Sequence, residues 1–121
     1  MAGDEAQVNE DKNSILLSDD GLTSFHQSQV LFKLRWSEVK EIVAYKEDCF
    51  GFDSICIGFR AIDADEYLRV FEEADGYKEL IAELERRFPD IRKDWFNEVA
   101  FPAFEPNWTT IWGQPMANNS K

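Results

Sequence analysis

Apolar residues occur in short runs along the first half of the chain, and polar turns separate these runs. They lie at residues 15–17, 22–26, 30–36, 41–46, 54–62 and 67–71. Within residues 30–36 and 54–62 the apolar side chains alternate with others, as on strands with one well-marked apolar face. Asp-Asp-Gly at residues 19–21 indicates a hairpin between the first two runs. Such closely spaced strands predict an antiparallel meander, barrel or sandwich instead of βαβ units.

The pattern becomes helical after residue 75. Apolar residues three and four positions apart predict an amphipathic helix, and they are Tyr77, Leu80, Ile81, Leu84 and Phe88. We expect Asp75 to cap the start of this helix, because its carboxylate can accept from the first free N–H groups. Pro89 prevents the helix from continuing. Asp90 is positioned to cap a second, shorter helix with apolar residues between positions 91 and 99.

This order of elements predicts an α+β fold with an antiparallel curled sheet or barrel, followed by a C-terminal amphipathic helix. The polar ends at residues 1–13 and 113–121 predict flexible tails, which leaves a single domain at residues 14–112. An aromatic-rich extension, FPAFEPNWTTIWG, follows the helices. Its Phe101, Phe104, Trp108 and Trp112 either complete the core or form an exposed contact surface.

The net charge of the chain is −11, and most of it lies in one segment. Residues 41–75 contain 10 acidic and 3 basic residues, which gives a net charge of −7. An acidic surface repels nucleic-acid phosphates and anionic lipid headgroups, so neither is an expected partner. It attracts a basic protein or a cation, although net negative charge also keeps a small protein soluble.

Groups that support catalysis are sparse. Cysteine catalysis needs a base, and the one histidine, His26, is far in sequence from both Cys49 and Cys56. Cys49 lies beside a glycine-centred loop and is the more accessible thiol, whereas Cys56 lies in an apolar run and resembles a buried core residue. A zinc-ligand spacing and a phosphate-binding loop are both missing. We therefore expect no enzyme activity, no metal and no cofactor. The N-terminus lacks the features of a signal peptide, which predicts a cytoplasmic location.

Three stretches of the chain resemble a known group of folds. They are RWSEVKEIVAYKEDCFGFDSICIGF, EYLRVFEE and GYKELIAELERRFP. Together they are similar to small bacterial proteins with a pleckstrin-homology-like (PH-like) fold. The tetrad from Trp36 to Val39 resembles the Trp-x-x-Val/Ile turn of such domains. The resemblance covers residues 14–88 and implies a curled sheet closed at one end by a helix. Some small acidic members resemble immunity proteins of bacterial toxin systems, and the resemblance implies no catalytic residues.

The candidate partner-binding residues are acidic side chains on both sides of the strand predicted at residues 67–71. They are Asp63, Asp65, Glu66, Glu72, Glu73 and Asp75. A short strand between two acidic groups allows them to contribute to one negative surface, which would dock Arg or Lys side chains of a basic partner. The same acids could simply keep loops and sheet edges soluble.

Two functions follow from these observations. The leading hypothesis is a cytoplasmic immunity protein that neutralises a basic toxin domain by binding it through the acidic surface. The alternative is a PH-like scaffold or regulatory module that binds a peptide or subunit through its aromatic segment at residues 101–112.

Overall fold

Runs of β-branched and aromatic residues form the strands, and the change to helical spacing produces the helices. The computed structural model describes residues 13–48, 53–101 and 106–115. Its strands are β1 (Asn13–Leu17), β2 (Gly21–His26), β3 (Gln29–Arg35), β4 (Val39–Asp48), β5 (Asp53–Ala61), β6 (Leu68–Phe71) and β7 (Thr109–Gly113). A short 3₁₀ helix, Trp36–Glu38, separates β3 from β4. The α-helices are α1 (Tyr77–Arg87) and α2 (Trp95–Ala100).

The strands form two antiparallel sheets. The first contains β1, β2 and β3, and the second has the order β6–β5–β4–β7. The predicted α+β class and antiparallel pairing are therefore confirmed. Within the described residues the sheets do not close into a barrel, so the barrel form of the prediction is wrong. The 3₁₀ helix interrupts the pairing between β3 and β4. At the other side, β1 meets the segment after β6 through an isolated bridge between Ser14 and Asp75.

The buried apolar residues come from both sheets and both α-helices. They include Leu22 and Leu34 in the first sheet, Ile42, Ile57 and Phe59 in the second, Leu80 and Leu84 in α1, and Trp95 and Val99 in α2. The ring of Phe88 packs between Trp36 and Trp112, with centroid distances of 6.3 and 4.6 Å. Trp112 and the buried Ile111 therefore complete the core, as one interpretation of the C-terminal extension predicted.

Helix α1 begins after Gly76, so the prediction that Asp75 caps it is wrong. The Asp75 N–H donates to the Asn13 carbonyl at 2.9 Å, and the Asp75 carbonyl accepts from the Ile15 N–H at 2.8 Å. This pairing with β1 keeps the Asp75 backbone out of the cap position. Gly76 takes that position with a left-handed φ of 93°, which glycine adopts at little cost. A Cβ there would lie 2.7 Å from the Ile15 carbonyl oxygen.

The second helix is shorter than the sequence pattern indicated. The Ile91 N–H donates to the Phe88 carbonyl at 2.9 Å, and the Trp95 N–H donates to the Arg92 carbonyl at 3.3 Å. These hydrogen bonds close turns across most of the predicted helix, and α2 begins only at Trp95. None of the helices in the described part of the chain is long and apolar enough to cross a membrane.

Strand β7 is the fourth strand of the second sheet, and it was not among the predicted strands. It pairs antiparallel with β4, so that Ile42 faces Trp112 and Val43 faces Thr110, with a bulge between the two pairs. Strand β1 begins at residue 13 and β7 ends at residue 113, each one residue outside the predicted domain of residues 14–112. Residues 1–12 and 116–121 of the predicted tails lie outside the described residues.

Two leucines allow a matched test of the core. We expect Leu84→Ala to lower the free energy of unfolding by about 2–5 kcal/mol, because it leaves a cavity beneath α1. Leu84 is 1% exposed, whereas Leu16 on β1 is 61% exposed. The control Leu16→Ala should lower the same free energy by less than about 1 kcal/mol. Urea denaturation followed by tryptophan fluorescence measures both values, and equal losses would contradict this assignment of the core.

Candidate functional site: the outer face of the second sheet

The two faces of the second sheet have different surroundings. Side chains alternate along β4, so Ile42 and Ala44 point into the core and Val43 and Tyr45 point the other way. We call this other side the outer face. It carries Glu41, Val43, Tyr45 and Glu47 on β4, Cys56, Gly58 and Arg60 on β5, Tyr67, Arg69 and Phe71 at β6, and Trp108 and Thr110 at β7. Among the described residues, both α-helices contribute their buried side chains to the opposite face.

A buried ion pair lies at one end of the outer face. Arg60 Nε donates to Glu41 Oε1 at 3.0 Å, and both side chains are buried. The Tyr67 hydroxyl donates to the same carboxylate oxygen at 2.6 Å, and the Thr110 hydroxyl donates to Oε2 at 2.6 Å. A second Arg60 nitrogen donates to the Gln114 carbonyl at 2.8 Å. The charges are therefore hydrogen-bonded on all sides, which removes much of the cost of burying them.

Three aromatic rings cover the middle of the outer face, and we call them the aromatic platform. Tyr45 and Trp108 are stacked with centroids 4.7 Å apart and an interplanar angle of 19°. Tyr67 meets Trp108 edge to face at 5.1 Å. Gly58 lies beneath the platform, and a Cβ there would be 2.9 Å from Val43 Cγ2 and 3.5 Å from Tyr67 Cβ. Glycine therefore allows the Tyr67 side chain to pack closely against β5.

Arg69 fixes the edge of the aromatic platform. Its guanidinium donates to the Tyr45 hydroxyl at 3.1 Å and to Glu47 Oε1 at 2.9 Å. It also lies over the Phe71 ring, 5.3 Å from the centroid. Because the Glu47 and Arg69 side chains are 39% and 48% exposed, solvent screens this ion pair far more than the one between Glu41 and Arg60.

The tyrosines of the platform remain neutral well into the alkaline range. Burial, followed by the hydrogen bond to the Glu41 carboxylate, raises the pKa of Tyr67 to about 12. Burial also raises the pKa of Tyr45, although its hydrogen bond with Arg69 opposes the change. Both phenols therefore keep their protons at neutral pH, and the Tyr67 hydroxyl acts as a donor to Glu41.

The predicted acidic residues lie in two groups at opposite ends of β6. Asp63, Asp65 and Glu66 are exposed in the turn between β5 and β6. Glu72, Glu73 and Asp75 are exposed in the segment between β6 and α1. Six residue steps separate Glu66 from Glu72, which corresponds to roughly 20 Å along an extended chain. The structure therefore places one acidic group at each end of β6.

Two of these acids also have a structural role. The Ile55 N–H donates to Glu72 Oε1 at 2.7 Å, and the Ser54 hydroxyl donates to Glu73 Oε1 at 2.7 Å. Both contacts join the beginning of β5 to the end of β6. Substituting either side chain therefore changes the sheet as well as the surface charge.

The remaining chemical groups lie apart from the outer face or are buried within it. Cys56 is fully buried in β5, and its thiol lies 3.9 Å from the Ser54 carbonyl oxygen. Cys49 lies outside the described residues. The His26 ring contacts the Asn13 side chain at 2.8 Å between Nδ1 and Oδ1. Within the described ranges, no group of three or more His, Cys, Asp or Glu side chains is arranged to hold a metal ion.

The C-terminal extension is divided between the two faces of the sheet. Ile111 and Trp112 belong to the core, whereas Trp108 is 51% exposed on the outer face. Phe101, at the end of α2, is exposed as well, and Phe104 lies outside the described residues. Part of this extension therefore completes the core, and another part is exposed.

The buried ion pair of Glu41 with Arg60 was not among the predicted features, and neither were its hydrogen-bond donors, Tyr67 and Thr110. One signal was present: Glu41 and Arg60 are charged residues at the ends of runs that are apolar on both faces. Charged side chains in such strands require a buried partner. Nothing in the local sequence indicated which residue that partner would be.

No protein family, curated protein or solved structure matches this chain. Function is therefore inferred from the geometry and charge of the outer face.

The two ion pairs of the outer face allow a direct comparison. We expect Glu41→Ala to lower the free energy of unfolding by about 3–5 kcal/mol, because it leaves the buried Arg60 guanidinium without its carboxylate. The control Glu47→Ala removes the exposed partner of Arg69 and should cost less than about 1 kcal/mol. Urea denaturation of the two variants measures the difference. A similar loss of unfolding free energy in the two variants would show that the buried ion pair stabilises the fold no more than the exposed one.

The tyrosines generate a prediction for alkaline pH. Burial is the largest cause of a raised pKa at Tyr45, Tyr67 and Tyr77, and the pKa of Tyr67 is about 12. In the unfolded chain each phenol titrates near pH 10. A raised folded pKa contributes stability that is complete below about pH 10 and is lost as the pH rises toward 12. Near-ultraviolet absorbance of tyrosinate should therefore appear well above pH 10 in the folded protein. If tyrosinate absorbance appears near pH 10 while the protein stays folded, the three tyrosines are not buried as described.

Proposed function

We propose that this chain is a non-catalytic, cytoplasmic binding protein of the immunity type, which neutralises a basic toxin domain. The observation that carries the proposal is a pair of exposed acidic groups, one at each end of the edge strand β6. Those groups are Asp63, Asp65 and Glu66 at one end and Glu72, Glu73 and Asp75 at the other. Surfaces of this kind attract basic proteins and orient them during encounter.

The distribution of ion pairs supports an excess of negative charge around this face. The segment at residues 41–75 contains three basic residues, and each pairs with an acid of the same segment. The pairs are Lys46 with Asp53, Arg60 with Glu41, and Arg69 with Glu47. Every basic residue of the segment is thus matched by an acid, and the segment keeps its net charge of −7.

Neutralisation would follow from occupation of a phosphate-binding surface. A toxin domain that cleaves nucleic acid presents basic side chains to its substrate. Carboxylates at both ends of β6 would pair with those side chains and exclude the phosphate backbone. The same negative charge disfavours direct binding of this chain to nucleic acid or to an anionic membrane.

The PH-like resemblance forms part of this proposal. Two antiparallel sheets followed by an amphipathic helix are compatible with it. In such an arrangement the extension after α1 is an addition to the basic plan, because β7 pairs with β4 at the edge of the second sheet.

A second candidate function uses the aromatic residues of the C-terminal extension. A PH-like scaffold or regulatory module would bind a peptide or subunit through this extension. The exposure of Trp108 and Phe101 favours it, because large aromatic side chains are frequent binding hot spots. Binding dominated by these rings would change little with salt, whereas binding dominated by the acidic groups would weaken strongly as salt rises.

Charge-neutral variants test the leading proposal. The triple variant Asp63→Asn, Asp65→Asn, Glu66→Gln removes three negative charges from one end of β6. The control triple Glu85→Gln, Asp90→Asn, Asp94→Asn removes the same charge at exposed positions around the helices. If a basic toxin is encoded beside this gene, we expect the first triple to weaken its binding by about tenfold or more, mainly by slowing association. Calorimetry and stopped-flow association at low and high salt measure both effects.

Two results would contradict the proposal. One is failure of the wild-type chain to bind any neighbouring basic toxin at low salt. The other is an equal loss of affinity in both triple variants, which would mean that overall charge matters and the position of the acids does not. Affinity that is insensitive to salt would favour the aromatic alternative.

A further inference from the structure

The four tryptophans of the chain differ in their accessibility. Trp36 and Trp95 are buried in the core, and Trp112 is partly buried beside Phe88. Trp108 is 51% exposed, on a face that no helix covers within the described residues. A large exposed aromatic side chain in such a position is typical of the centre of a binding surface.

Trp108 is held in one orientation. Its ring stacks on Tyr45 and lies at a steep angle to Tyr67, and the hydroxyls of both tyrosines are fixed by Arg69 and Glu41. A side chain that is already ordered loses little conformational entropy when a partner binds. The exposed indole is therefore prepared for contact before the partner arrives.

The backbone before Trp108 is fixed as well. Asn107 has a left-handed φ of 52°, a conformation that asparagine tolerates better than most residues. Its side-chain nitrogen donates to the Val99 carbonyl in α2 at 3.0 Å. On the other side, the Thr109 hydroxyl donates to the Asn107 carbonyl at 2.8 Å. These contacts place the indole independently of the rings that it touches.

The chain itself indicates which group fits such an aromatic face. Arg87 lies over the Trp36 ring at 5.2 Å and pairs with Glu83. Arg69 lies over the Phe71 ring at 5.3 Å and pairs with Glu47. Among the described residues, no cationic side chain of this chain lies over Trp108. The exposed half of the Trp108 side chain is therefore available to a cation from outside.

We propose that Trp108 is the anchor for an arginine side chain of the basic partner, which lies over the indole as Arg87 lies over Trp36. Charge complementarity selects a cation, because residues 41–75 carry a net charge of −7. Arginine fits better than lysine, since its planar, weakly hydrated guanidinium stacks on aromatic rings and can still donate to carboxylates. This inference rests on the proposed function, and it identifies the side chain that the partner contributes.

Charged quenchers test the local potential without any partner. Subtracting the fluorescence of Trp108→Phe from that of the wild-type protein isolates the Trp108 contribution. We expect this contribution to be quenched more by caesium than by iodide at low ionic strength, after normalisation to a free indole compound. The triple variant Asp63→Asn, Asp65→Asn, Glu66→Gln should reduce the difference. Stronger quenching by iodide would overturn the choice of a cationic partner group.

Peptide binding tests the side chain itself. Anisotropy of a labelled oligo-arginine peptide measures affinity, with an oligo-lysine peptide of equal length as the comparison. We expect the arginine peptide to bind more tightly, and Trp108→Ala to weaken it by about tenfold. Trp108→Phe should retain part of the affinity, because it keeps an aromatic face. The matched control Phe96→Ala removes a ring that is also about half exposed, on α2, and should leave the affinity unchanged.

The possible failures are distinguishable from one another. Equal binding of the two peptides, or an unchanged affinity in a folded Trp108→Ala variant, would overturn the inference. If the neighbouring toxin binds the wild type and Trp108→Ala equally well, the inference fails and the proposed function stands. If that toxin does not bind but the arginine peptide binds through Trp108, the proposed function fails and the arginine site stands.

Discussion

The ion pair between Glu41 and Arg60 is the interaction on which the second sheet and its outer face depend. Two buried charges are tolerated only where hydrogen bonds satisfy them, and here the partners come from separate parts of the chain. Tyr67 comes from the segment before β6, Thr110 from β7 and Gln114 from the residue that follows β7. The pair therefore connects β4 and β5 to both edges of the sheet. Any other register of β7 would remove hydrogen bonds from a buried carboxylate.

Strand β7 contributes residues to the buried ion-pair network, to the core and to the candidate site. The bulge in its pairing with β4 allows Ile111 and Trp112 to enter the core while Thr110 reaches Glu41 on the outer face. Trp108, just before the strand, then lies over Tyr45. The rigid indole and the exposed acids have different roles in the proposed recognition. In that proposal the acids would steer a basic partner during encounter, whereas the aromatic contact would determine how slowly the partner leaves.

Local patterns in the sequence were sufficient for most of the fold. Alternation and β-branched residues located six strands, and the spacing from Tyr77 to Phe88 located α1, because both signals depend on residues close in the chain. The predictions that failed involve distant residues. Asp75 does not cap α1, because its backbone pairs with β1. The barrel does not close within the described residues, and β7 was expected only as part of an aromatic-rich extension because its partner, β4, lies about seventy residues earlier in the chain.

For the candidate site, the sequence by itself determined composition: an acidic segment, two acidic groups around a short strand, and a C-terminal stretch rich in aromatic residues. Only the tertiary structure decided how these parts are arranged. It separates the two acidic groups along β6, assigns Glu72 and Glu73 to contacts with β5, and divides the aromatic stretch between the core and the outer face. The physical reason is that charge and hydrophobicity are properties of single residues, whereas a buried ion pair such as Glu41 with Arg60 depends on strand register. Register is fixed by contacts between residues that are far apart in the sequence.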